Sequence, residues 1–162
     1  MSVKIGFSTN PTNWLSQIIR WGTKSTVSHC FFITEWCGSQ VMIEAHWNGL
    51  RVLDFKQWQK AKPGQLVAVV EPEVDLTTGF EALIPYLGQP YDFTGLAGMG
   101  IVMLVWGVLR RKISNPWNNP NAVFCSESVA QAMSWAAYPG WTADAQNVTP
   151  DDLFQFFCKK KS

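Results

Sequence analysis

The sequence predicts an α+β domain in which a small antiparallel sheet packs against a helix that begins at Cys125. Three observations carry this. Two β-rich runs, "TVSHCFFIT" and "QVMIEAHW", are separated only by "EWCGS", whose Gly38 suits a hairpin turn. "RVLDF" and "KPGQLVAVVEP" follow turn signals at Asn48–Gly49 and Pro63–Gly64, so the sheet continues. After "NAVFC", positions 125, 129, 132, 133 and 136 are Cys, Val, Ala, Met and Ala, which is one face of a helix.

The other elements fit around this frame. Val3 to Ser8 is short and β-like. Asn10, Pro11 and Thr12 make a turn, and Thr12 or Asn13 can cap the run "NWLSQIIRW", with Trp14, Leu15, Ile18 and Ile19 at helical spacing. Gly22 suits the position just past that helix. Thr78 to Leu87 reads as a short helix ended by Gly88. Phe93 to Leu109 carries no charge; as a helix it is about 25 Å long, short of the ~30 Å hydrocarbon core of a bilayer. Gly95, Gly98, Gly100 and Gly107 weaken it further, so a buried helix or hairpin near the active-site face is expected rather than a span. The loop "NPWNNPN" then delivers the chain to Cys125.

Composition bounds the function. At 162 residues with 47% hydrophobic content the chain can bury one ordinary core, so 1–162 is read as a single domain. A net charge of +1 gives no electrostatic reason to expect nucleic acid as a partner. Arg110, Arg111 and Lys112, and the tail Lys159 to Lys161, are short basic runs that suit solvated surface. No apolar segment follows a basic start, so the expected setting is cytoplasmic, in a bacterial or phage protein. Cys30, Cys37, Cys125 and Cys158 form no CxxC and no paired metal-ligand spacing; they are expected as reduced thiols, with no metal and no cofactor. Trp36, Trp47 and Trp117 are candidates for a groove wall.

The chemistry centres on Cys125. At a helix N-terminus the unpaired N–H groups and the helix dipole favour a thiolate, and the same N–H groups can hold an oxyanion. The alternative is a small apolar residue that merely packs. A nucleophile also needs a base and a partner to orient that base. The only histidines, His29 and His46, both fall in the hairpin. If its loop has an even number of residues, His29, Glu44 and His46 share one sheet face, because side chains alternate with period two. Either Glu44 or His46 can then orient His29.

These residues lie in segments that resemble a known family. "FSTNPTNWLSQIIRWGTKSTVSHCFF", "VMIEAHWNGLRV", "YLGQPYDF", "FCSESV" and "TPDDLF" resemble, in order and over most of the chain, the circularly permuted papain-like cysteine hydrolases of the NlpC superfamily. The likeness is to the YiiX-type branch, related to the lecithin:retinol acyltransferase-like enzymes. The resemblance implies a permuted papain-like (NlpC-type) fold and a thiol-dependent amide or acyl hydrolase. It implies Cys125 as nucleophile, His29 as base and Glu44 as orienting residue, with His46 as runner-up because the acyltransferase-like relatives use a second histidine there. A thioester intermediate follows. The substrate classes implied are a peptide, including cell-wall peptides, or a lipid amide or ester; the contrasting role is a binding module that kept the fold without the chemistry. The apolar block suits a lipid substrate, and with its basic flank, 93–112, it suits peripheral contact with a membrane.

Overall fold

The computed structural model describes residues 2–61, 64–109, 116–117 and 123–158. In chain order they form β1 (Val3–Thr9), α1 (Trp14–Thr23), β2 (His29–Trp36), β3 (Ser39–His46), β4 (Gly49–Asp54), α2 (Phe55–Ala61), β5 (Gln65–Val70), α3 (Thr77–Glu81), α4 (Phe93–Leu109), α5 (Cys125–Trp135) and α6 (Pro150–Cys158). Short 3₁₀ turns occupy Ile84–Tyr86 and Ala145–Asn147. The class is α+β. One five-stranded sheet has the order β4-β3-β2-β1-β5, and every adjacent pair is antiparallel.

The β2–β3 turn has two residues, Cys37 and Gly38, with φ of 50° and 75°. Both values are left-handed, the backbone twist that a tight hairpin needs. Phe32 then opposes Ile43, so opposed positions sum to an odd number and His29, Glu44 and His46 fall on one face. That face is covered by α2: Phe31, Ile33 and Met42 pack with Phe55 and Trp58. The sequence reading carried the strand through Phe55 and did not place this helix. Asp54 ends the strand because its Oδ1 accepts the N–H of Gln57 at 2.8 Å, which starts a helical turn.

The opposite face bears the main core. Ile5, Phe7, Cys30, Phe32, Ile43 and Ala45 pack against Leu76, Phe80, Val129, Ala130, Met133 and Leu153. The Cys125 helix thus packs on the sheet as expected, but on the face away from Glu44. It is also enclosed on more than one stripe: Cys125 to Ala130, Ala132 and Met133 are all buried, because α3, α6 and the turn at Ala145–Asn147 surround it.

Other boundaries differ from expectation for local reasons. Asn13 caps α1, its Oδ1 accepting from Leu15 N at 2.9 Å and Ser16 N at 3.2 Å. The helix runs through Gly22 and ends at Lys24, which takes the left-handed conformation (φ 55°) while Ser25 N bonds Arg20 O. The helix expected over Thr78–Leu87 is interrupted, since Pro85 has no N–H to donate and sits in a 3₁₀ turn. The apolar block is a single helix, α4, lying beside α1. Among the described residues no helix is long and apolar enough to cross a membrane. Arg110, Arg111, Lys112, Lys159 to Lys161 and the Pro63 turn lie outside the described residues.

At Gly79 the backbone of α3 meets the carbonyl of Ala132 so closely that a Cβ would overlap it. Backbone cannot swing aside as a side chain can, so Gly79→Ala should cost about 1–3 kcal/mol. Gly100, in α4, has open space around it, and Gly100→Ala should instead stabilise by about 0.5–1 kcal/mol. Urea unfolding midpoints at unchanged slope measure both; equal midpoints for the two variants would contradict this packing.

Candidate active site

Cys125 is the first residue of α5, and the first turn of that helix is braced on several sides. Glu127 Oε2 accepts the N–H of Phe124 at 3.3 Å, Ser126 Oγ donates to Val148 O at 2.7 Å, and Ser128 Oγ donates to Cys125 O at 2.8 Å. The "CSES" residues therefore fix where the sulfur sits. His29 is the first residue of β2, where the strand emerges from its pairing with Ser8 of β1. At that end the imidazole reaches past the sheet toward Cys125, both side chains line one cleft, and each shifts the other's pKa.

The far side of the imidazole meets Glu44. His29 Nε2 lies 2.8 Å from Glu44 Oε2, which leaves Nδ1 for the sulfur. Glu44 is only 2% exposed. Its other oxygen is held by Arg51, which donates from Nε at 3.0 Å and from Nη2. Arg51 directly opposes Glu44 across β3 and β4. His46 Nδ1 is 3.2 Å from Asn48 Oδ1 at the β3–β4 turn, whereas it is Glu44 that bonds the imidazole of His29. The structure thus brings Cys125, His29 and Glu44 into one line and leaves His46 outside it, although His46 and Glu44 both line the same cleft.

The electrostatics follow from these contacts. Burial alone would lower the pKa of His29, but hydrogen bonds and opposite charge from Cys125 and then Glu44 raise it to about 10. Burial would raise Glu44; the bonds and charges of His29 and Arg51 outweigh it and hold the carboxyl at about 2. The Cys125 thiol is pushed well below its ordinary value, by a hydrogen bond from the Cys30 thiol first, against burial, and then by His29. Cys30 moves the opposite way: burial and the neighbouring Cys125 push it up, so it stays a thiol and donates its proton to the thiolate. His46 is lowered by burial and by Arg51. These directions favour a thiolate–imidazolium pair with the carboxylate behind it.

The sulfur opens into a cleft of about 220 Å³. Leu15 and Ile19 of α1, Trp47, Trp58, Tyr91 and Phe93 supply its apolar wall. Of the three tryptophans expected in a groove wall, only Trp47 lines it; Trp36 and Trp117 are exposed elsewhere. Sequence reasoning passed over Arg51, Cys30 and Tyr91. Burial and the nearby Cys125 raise the Tyr91 phenol well above its ordinary value, so it stays protonated and can donate. Among the described residues no group of three or more His, Cys, Asp or Glu is placed to hold a metal ion.

No protein-family model matches the chain, and no curated protein matches it.

Cys125 should be the first of the four thiols alkylated by limiting iodoacetamide. Because its pKa is depressed, the thiolate forms well below pH 9, so over a series from about pH 6 to 9 its alkylation rate should level off before pH 9. Peptide mass spectrometry across that range reads this directly. A rate rising about tenfold per pH unit up to 9, or first labelling at Cys30 or Cys158, would count against the ion pair.

Proposed function

We propose that the protein is a thiol-dependent amide or acyl hydrolase with a permuted papain-like arrangement. The single observation that carries this is the alignment of Cys125, His29 and Glu44, with the sulfur at a helix N-terminus in a cleft. A buried histidine satisfied only as a structural group does not require an adjacent depressed thiol. The thiolate of Cys125 attacks the carbonyl carbon and an S–C bond forms. The carbonyl oxygen takes the negative charge, facing the N–H of Cys125 and the hydroxyl of Tyr91 as donors. The C–N or C–O bond breaks as the leaving group takes the proton from His29 Nδ1. Water then attacks the thioester, His29 accepting its proton, and the acid departs with the thiolate restored. Glu44 holds the imidazole in the orientation these transfers need.

A second reading within the same chemistry is a lipid amide or ester substrate, with transfer to an acceptor in place of hydrolysis. The apolar wall of Leu15, Ile19, Trp47 and Phe93 beside the sulfur favours it.

Mixing with p-nitrophenyl acyl esters and following intact mass tests the proposal. Wild type should show a burst and gain one acyl group on Cys125, and Cys125→Ala should gain none. Loss of both burst and adduct in wild type would leave a binding module as the better description.

Turnover separates the two orienting candidates. Glu44→Gln should lower it by about 10²–10⁴-fold, while His46→Gln stays near wild type. The reverse ranking would reinstate the second histidine. Tyr91→Phe, which removes only the hydroxyl, should lower turnover by about 10²-fold with little change in KM.

A further inference from the structure

Helix α1 carries an apolar arc that is wider than the protein interior uses. At about 100° per residue, Trp21, Trp14 and Ile18 fall together within about 60°, and Leu15 and Ile19 follow on the next part of the arc. Leu15 and Ile19 turn inward and wall the cleft. Trp14, Ile18 and Trp21 are 69%, 53% and 79% exposed. Two exposed tryptophans and an isoleucine on one helical ridge are not accounted for by the fold or by the proposed chemistry. Phe93, at the start of the neighbouring helix α4, is exposed as well and lines the cleft.

The charged side chains that α1 and its C-cap carry are basic. Arg20 lies in the last turn of α1 and Lys24 at its C-terminal cap, beyond Trp21, and Lys24 is exposed. The first acidic residue in the chain is Glu35, and no Asp or Glu occurs between Asp92 and Glu127. The two packed helices α1 and α4 are thus free of acidic residues in a chain whose total charge is only +1. A convex ridge bearing tryptophan, with a basic flank, has the chemistry of a helix that lies in the boundary layer of a bilayer. Its indoles would sit at headgroup depth and its cations at phosphate. A rigid protein partner would call for a shaped recess or fixed acidic partners, whereas a fluid anionic surface needs neither.

We propose that the Trp14–Ile18–Trp21 face of α1, with Phe93 beside it, docks the protein on an anionic lipid surface and turns the mouth of the Cys125 cleft toward that surface. Docking is independent of whether Cys125 turns over a substrate. The contact falls on α1 and the start of α4.

Flotation with phosphatidylglycerol or phosphatidylcholine vesicles tests this. Wild type should float with phosphatidylglycerol, and the bound fraction should fall as ionic strength rises. Trp14→Ser combined with Trp21→Ser should lower partitioning at least about tenfold, given the apolar area removed from the interface. Arg20→Gln with Lys24→Gln should weaken binding to phosphatidylglycerol and leave phosphatidylcholine binding unchanged. Trp36→Ser, an exposed tryptophan at the far end of the β2–β3 hairpin, serves as the control and should bind as wild type. The milder Ile18→Gln reads the same face should the double variant unfold, and the salt dependence of wild type needs no variant. The proposal is overturned if wild type stays at the bottom with both vesicles, or if binding is indifferent to salt. It is equally overturned if the Trp14 and Trp21 changes act no more strongly than Trp36→Ser. A wild-type dimer that these changes convert to monomer in sedimentation would assign the face to a second copy of the chain instead.

Discussion

Glu44 is a carboxylate almost wholly removed from water, and the geometry of the site depends on how that charge is balanced. An isolated ionised carboxyl in such a place would take up a proton instead. Glu44 stays ionised because Arg51 holds one oxygen and His29 the other. His29 in turn stays charged because Cys125 is a thiolate on its other side. The four groups form a chain of alternating sign, from guanidinium to carboxylate to imidazolium to thiolate, with no net charge. Each member keeps its ionisation only while its neighbours keep theirs. Removing Arg51 would therefore be felt at Cys125, three groups away, as a weaker hold on the imidazolium.

The two sheet faces divide the work of positioning. Glu44 and Arg51 are fixed on the face covered by α2, while Cys125 sits on the other face beside Cys30. A side chain in the middle of a strand could not touch both. His29 can, because it is the first residue of β2 and nothing in the strand lies before it. The ring of Phe31 packs beside the imidazole, at 5.8 Å between centroids, and limits how far it can swing. On the α5 side, the enclosure of the helix on several faces fixes the backbone from which the sulfur projects.

Much of this was legible in the sequence because β periodicity is strict. Given an even-numbered turn at Cys37–Gly38, the parity of His29, Glu44 and His46 follows without coordinates. Parity alone could not choose between Glu44 and His46; the strand continues through both, and only the Asn48 turn, which occupies His46, separates them. Arg51 was within reach of the same reasoning, since the Gly49 turn fixes Arg51 opposite Glu44. Reading "RVLDF" only as strand leaves it out. The helix at Phe55–Ala61 was missed for a related reason: Asp54 ends the strand through one side-chain bond, which no run of apolar residues announces. The placement of α5 opposite Glu44 was not legible, because period-two alternation says which residues share a face but not which layer covers it. The outward turn of Trp14, Ile18 and Trp21 was hidden likewise, since helical spacing groups them with Leu15 and Ile19.

The order of the influences on His29 has a consequence for the proposed route. Its pKa of about 10 depends more on Cys125 than on Glu44, and burial works against both. Once Cys125 is acylated its negative charge is gone. The hydrogen bond and the attraction it supplied are then lost, leaving burial opposed by Glu44 alone. The imidazole would then be a much weaker base than in the ion pair, and so closer to neutral. A neutral imidazole is what the second half of the reaction needs, since water must lose a proton to attack the thioester. On the proposed route the same group would serve as acid while the thiolate is present and as base after the thiolate is consumed. Glu44, ionised throughout, keeps the ring aimed in both halves, and its tether to Arg51 is what prevents it from following the proton.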